Sequence, residues 1–151
     1  MCRGVARHDG RPVDRAAADE AQLLRACRGD ASVVHPLASH ARELTLLHHR
    51  RLDGDAVHAM DERRAELVRT VDRWARAHLP VAHGAAYLHT EGLGTVIDRL
   101  AERTAHAYTA LAKNSDWDLW FAWERLAELA VAYEDLADEL HAGRRRLPDA
   151  P

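Results

Sequence analysis

Apolar residues return every three or four positions along most of this chain. Leu119, Ala122, Leu126, Leu129, Tyr133, Leu136 and Leu140 step in this way, as do Leu93, Ile97, Leu100, Thr104, Tyr108 and Leu111. Met60, Arg64, Leu67, Val71 and Trp74 form a third stripe, and Leu37, Ala41, Leu44, His48 and Leu52 a fourth. Such spacing puts each set on one face of an α-helix. No segment alternates with period two, so no sheet is expected.

Punctuation residues set the ends. Pro36 suits the first turn of a helix, where its missing N–H costs nothing, and that helix runs to about Leu52 before Asp53-Gly54-Asp55. The next spans roughly Asp55 to Leu79 and ends at Pro80. A loop with His83-Gly84-Ala85 follows, then a helix from Glu91 or Leu93 to Lys113. Asn114-Ser115-Asp116 breaks it; Ser115 caps the last helix, with Asp118 at the capping-box position and Gly143 just past its end. An Ala-rich run over 14–28 predicts a short first helix ending at Gly29. The expected fold is all-α: an up-down helical bundle of four principal helices plus a short N-terminal helix. Residues 1–12 form an irregular N-terminal segment, 13–146 a single domain and 147–151 a C-terminal tail.

Composition agrees with one domain that has a real core: 151 residues, 47% hydrophobic and 30% charged. A net charge of −3 leaves no electrostatic footprint for nucleic acid, and Arg144-Arg145-Arg146 reads as a solvated helix end. No apolar run approaches the roughly 20 residues of a membrane span, and no apolar signal region opens the chain. Neither nucleic acid nor membrane is an expected partner, and a cytoplasmic location is expected. Cys2 and Cys27 have no metal-ligand or CxxC spacing.

Two residues break the apolar stripes: His48 on the second helix and Arg64 on the third. An inward Arg keeps its proton and needs an anion. The run from Leu88 to Leu100 holds the candidates, packing His89, Thr90, Glu91, Gly92, Gly94, Thr95, Asp98 and Arg99 into the start of an apolar helix. Glu91 and Asp98, seven apart with Thr95 between, share a helical face. Arg64 is expected to meet Asp98 or Glu91, with His48 and His89 nearby. Such a cluster is either a site, with room left by the glycines, or a buried ion-pair network that fixes helix register.

As a site, it assigns Asp98 or Glu91 as general base and His48 or His89 as proton shuttle. Arg64 and Arg99 clamp an anionic group, and Asp61, Thr90, Thr95 and Tyr108 are further substrate-binding candidates. The chemistry expected is metal-independent, without a cofactor, because the Glu-x-x-His pairs of carboxylate-bridged bundles are missing. Asp55-x-x-His58 and Asp138-x-x-His141 lie at helix ends instead. Trp117, Trp120, Phe121 and Trp123 go round most of a helix circumference, more than one stripe can bury. They predict a pocket or an interface, with a homodimer or a heterodimer with a related helical protein.

The segment His89-Thr90-Glu91 followed by Ile97-Asp98-Arg99-Leu100 resembles a bacterial all-helical family, domain of unknown function 4254. Asp61 and Arg64 ahead of Val71-Asp72 also match, as does the closing helix from Leu126 to Gly143. The resemblance covers about residues 36–146. Asp61 stands where the family usually has Asn, and Gly92 where it has Ser or Thr. The resemblance implies a place in natural-product biosynthesis, including closure of small nitrogen rings. Two functions are therefore expected as alternatives: a small enzyme handling a polar or anionic small molecule, or a non-catalytic helical subunit that stabilises or completes a partner protein.

Overall fold

In the computed structural model, which describes residues 16–113 and 116–149, five helices carry the chain. They are α1 (Glu20–Cys27), α2 (Pro36–Leu52), α3 (Val57–His78), α4 (Leu93–Ala112) and α5 (Asp116–His141). The fold is all-α. Its hub is α4, on which α1, α2, α3 and α5 all pack, while α3 and α5 do not pack against each other among the described residues. The stripe residues Leu93, Ile97, Leu100 and Thr104 of α4 are almost fully buried against Leu37, Ala41, Leu44, Leu67, Val71, Leu126 and Tyr133.

The helix starts follow local chemistry. His35 caps α2: its Nδ1 accepts the Leu37 N–H at 3.1 Å, ahead of Pro36 at the first turn. A capping box of Asp19 and Gln22 opens α1 at Glu20, six residues later than the Ala-rich run suggests. Before it, Ala16–Ala18 form a strap without helix, Ala17 and Ala18 being buried. Side chains satisfy its backbone: Ala16 N–H donates to His141 Nε2 (2.9 Å), the His35 Nε2–H meets Ala16 O (3.1 Å) and the Tyr133 hydroxyl donates to Ala18 O (2.7 Å). Alanine is the best helix former, yet here three tertiary hydrogen bonds and burial outweigh its propensity. Ser115, residues 1–12 and Cys2 lie outside the described residues.

The expectation of no sheet is corrected. Two short strands, β1 (Tyr87–Leu88) and β2 (Arg145–Arg146), pair in parallel. They give backbone partners to the long α3–α4 connection, where Tyr87 N–H donates to Arg144 O and His89 N–H to Arg146 O. At two residues each, the strands are too short to show a period-two pattern. Leu147, expected in the tail, packs against the core. No helix is long and apolar enough to cross a membrane among the described residues.

Candidate functional site

His48 and Arg64 occupy inward positions of α2 and α3, and both turn to α4. His48 Nε2 lies 2.8 Å from Oδ1 of Asp98, and Arg64 Nε forms an ion pair with the other oxygen, Oδ2, at 3.2 Å. One carboxylate thus joins three helices. An ionised carboxylate only accepts, so the proton between the two groups belongs on Nε2 of His48. Arg64 also donates to Asp61 Oδ1 at 3.1 Å, and Arg51, at the end of α2, donates to the same oxygen at 3.1 Å.

Side-chain exposure falls steadily along this chain of contacts, from 47% at Arg51 and 44% at Asp61 to 33% at Arg64, 16% at Asp98 and 6% at His48. The network therefore leads from solvent at the α2–α3 turn to the core. Its two arginines share Asp61 at the wet end, where a competing anion can exchange with a half-exposed carboxylate at small cost. At the dry end Asp98 has both oxygens engaged, which suits orienting His48 better than abstracting a proton itself.

The other residues of the Leu88–Leu100 run go elsewhere. Because α4 starts at Leu93 with Gly92 as its N-cap, Glu91 precedes the helix, and the shared-face relation with Asp98 and Thr95 does not hold. Glu91 pairs with Arg99 at 2.5 Å. His89 turns back on its own loop, its Nδ1 within 2.9 Å of Glu91 O and 3.3 Å of Glu91 N. Thr90 is exposed, and Thr95 is half-buried in the first turn of α4. Tyr108 lies further along α4, its ring edge-on to Trp123 at 5.5 Å.

Nor do the glycines leave room. A Cβ on Gly92 would stand 2.5 Å from the Asp72 carboxylate, and one on Gly94 would overlap the Val68 carbonyl. They let α3 and α4 approach, and Asp72 Oδ1 accepts the Gly94 N–H at 2.7 Å, capping α4 from the neighbouring helix. The Gly-x-Gly at a helix start was the signal for that contact.

Cys27 is buried between Thr45 and Thr104, and burial pushes its thiol up, so it behaves as an apolar residue and not as a nucleophile. No three His, Cys, Asp or Glu side chains converge as a metal-ligand set among the described residues. His58, at the start of α3, instead lies 3.4 Å from Glu62.

The aromatic cluster near the start of α5 stays outside the core. Trp117, Trp120, Phe121 and Trp123 are all exposed, with Trp117 and Trp120 stacked on each other at 5.9 Å.

The family model described as "Protein of unknown function (DUF4254)" matches residues 53–148, from the α2–α3 turn through β2. No curated protein and no solved structure matches the chain.

Proposed function

The chain belongs to the DUF4254 family of proteins of unknown function, and from that premise and the geometry of the cluster we propose that it handles a polar or anionic small molecule at the His48–Asp98–Arg64 junction. The observation that carries this reading is the engagement of both Asp98 oxygens, one by His48 and one by Arg64; in this reading the Nδ1 of the oriented His48 takes the role of base. Arg64 and Arg51 supply the anion clamp in exchange for Asp61.

The reaction this arrangement suits best is intramolecular displacement by an amine, the chemistry of nitrogen-ring closure. The amine lone pair attacks a neighbouring carbon bearing a sulfate or phosphate ester. The carbon–oxygen bond breaks, and the leaving anion takes the electron pair to the arginines. The proton lost by the new ammonium passes to His48 Nδ1. Most of the acceleration comes from holding amine and carbon in line, and the electrostatic share from the arginines. The role assigned to Asp98 is thus positioning, while Glu91, His89 and Arg99 are left to support the loop that enters α4.

The test uses 2-aminoethyl hydrogen sulfate as probe and follows sulfate release. Release by the wild-type chain above the uncatalysed rate, lost in His48→Gln with the helical spectrum intact, supports the reading. Equal release by wild type and His48→Gln overturns the catalytic part.

A second reading has its own observation. Trp120 and Trp123 leave a large exposed apolar area on α5, which supports a helical subunit paired with a second copy or a related helical protein. Trp120→Ser lowers the sedimenting mass on that reading, and a wild-type monomer at high concentration removes it. For the helices themselves we propose an up-down arrangement of α3, α4 and α5, supported by the opposed running of α3 and α4: Arg64 meets Asp98, and Asp72, further along α3, meets Gly94, earlier on α4.

A further inference from the structure

Arg103 and Arg125 lie away from the His48 cluster, and neither has an ion-pair partner among the described residues. Between α4 and the first turns of α5 runs a groove of about 340 Å³, walled by Arg103 and His106 from α4 and by Trp117, Asp118, Phe121 and Arg125 from α5. Elsewhere Arg25, Arg50, Arg63, Arg99 and Arg145 each hold a carboxylate. Among the described residues Arg103 and His106 have no hydrogen bond or ion pair, and Arg125 only lies over the Phe121 ring, 4.9 Å from its centre. Trp117 is 74% exposed at the rim.

We propose that this groove binds a planar aromatic monocarboxylate. The volume is at the lower end of small-molecule sites, which run from about 300 to 1,000 Å³, and suits one or two rings. The aromatic wall takes the ring face, removing Trp117 and Phe121 from water. Arg103 and Arg125 take the carboxylate, for which the guanidinium fork is shaped. Asp118 sets the charge: two arginines against one carboxylate leave the wall one positive charge, matched to a monoanion and not to a phosphate dianion. This groove is independent of the His48 cluster, so neither stands or falls with the other.

Calorimetric titration with indole-3-acetate tests the proposal. The wild-type chain is expected to bind it saturably, indole-3-acetamide about tenfold more weakly, and 3-indolyl phosphate no more tightly than the acetate. Arg103→Gln and Trp117→Ala each weaken indole-3-acetate by about tenfold or more, while Arg69→Gln, on the exposed side of α3, does not. Absence of saturable binding at millimolar acetate overturns the proposal. So does equal affinity for the neutral amide on the wild-type protein, a measurement that needs no variant to fold. Tighter binding of the phosphate overturns the monoanion assignment, and an equal loss in Arg69→Gln shows diffuse charge attraction in place of a site.

Discussion

The ring of His48 and the carboxylate of Asp98 meet at 2.8 Å, tying the C-terminal part of α2 to α4. Arg64 takes the second oxygen. Asp98→Asn keeps the shape and removes the charge between two donors. A fully buried pair loses about 3–5 kcal/mol when one partner is removed. Arg64 is a third exposed, so solvent screens part of the loss, and about 2 kcal/mol is expected in urea unfolding. Adding Arg64→Met to Asp98→Asn should recover part of it, because the unpaired guanidinium is then gone. A strictly additive double variant would show that the two residues are not coupled.

The contact of Gly94 with Val68 sets how closely α3 approaches α4. In Gly94→Ala the methyl group has only backbone to displace, so the helices must separate. Overpacking of this kind costs about 1–3 kcal/mol, and the Asp72 cap on the Gly94 N–H loosens with it. Alanine is the better helix former, so a variant as stable as wild type would contradict the close approach.

Much of this was legible in the sequence, and the misses have physical causes. His48 and Arg64 stood out because a helical stripe makes an inward polar residue visible, and Asp98 lay next to the facing stripe. Position 91 is ambiguous in the sequence, because one helix-start residue decides whether it shares a face with 98. Arg51 gives no signal in the sequence, because it stands among the basic residues closing α2, where charge reads as solvated. The Ala16–Ala18 strap was invisible because the bonds that hold it come from His35, Tyr133 and His141, far away in the chain.

That strap gives a direct test. Tyr133 is fully buried, and its hydroxyl is the partner of the Ala18 carbonyl. Burial also pushes its phenol well above the usual tyrosine range. Tyr133→Phe leaves the carbonyl without its donor, a loss of about 1–2 kcal/mol in thermal or urea unfolding. An unchanged midpoint would mean that the strap contributes nothing.

His35 predicts a pH dependence. Its ring is held neutral: Nδ1 accepts the capping N–H of Leu37, Nε2–H faces Ala16 O, and the ring packs on Trp74 at 5.5 Å. Desolvation by burial lowers its pKa below the ordinary value of 6.5. The unfolded chain therefore binds the proton at higher pH than the folded one, and stability rises with pH across that interval. The contribution is whole above 6.5 and is lost as pH falls from there through the folded pKa. His35→Asn can still cap α2 but cannot titrate. Wild type should lose more of its melting temperature than His35→Asn between neutral pH and mildly acidic pH. Parallel curves would remove the role of His35.

Whether the cluster receives a ligand or only locks three helices together is decided most directly by the nitrogen resonances of Arg64 and His48. In a ¹⁵N-labelled chain titrated with 2-aminoethyl hydrogen sulfate, the account predicts saturable shifts at Arg64 Nε and at the His48 ring nitrogens, those of His48 being lost in Asp98→Asn, where the ring is no longer oriented. Resonances that stay fixed up to millimolar probe, in a chain whose folding still depends on Asp98, would contradict the account and leave the network as a structural lock.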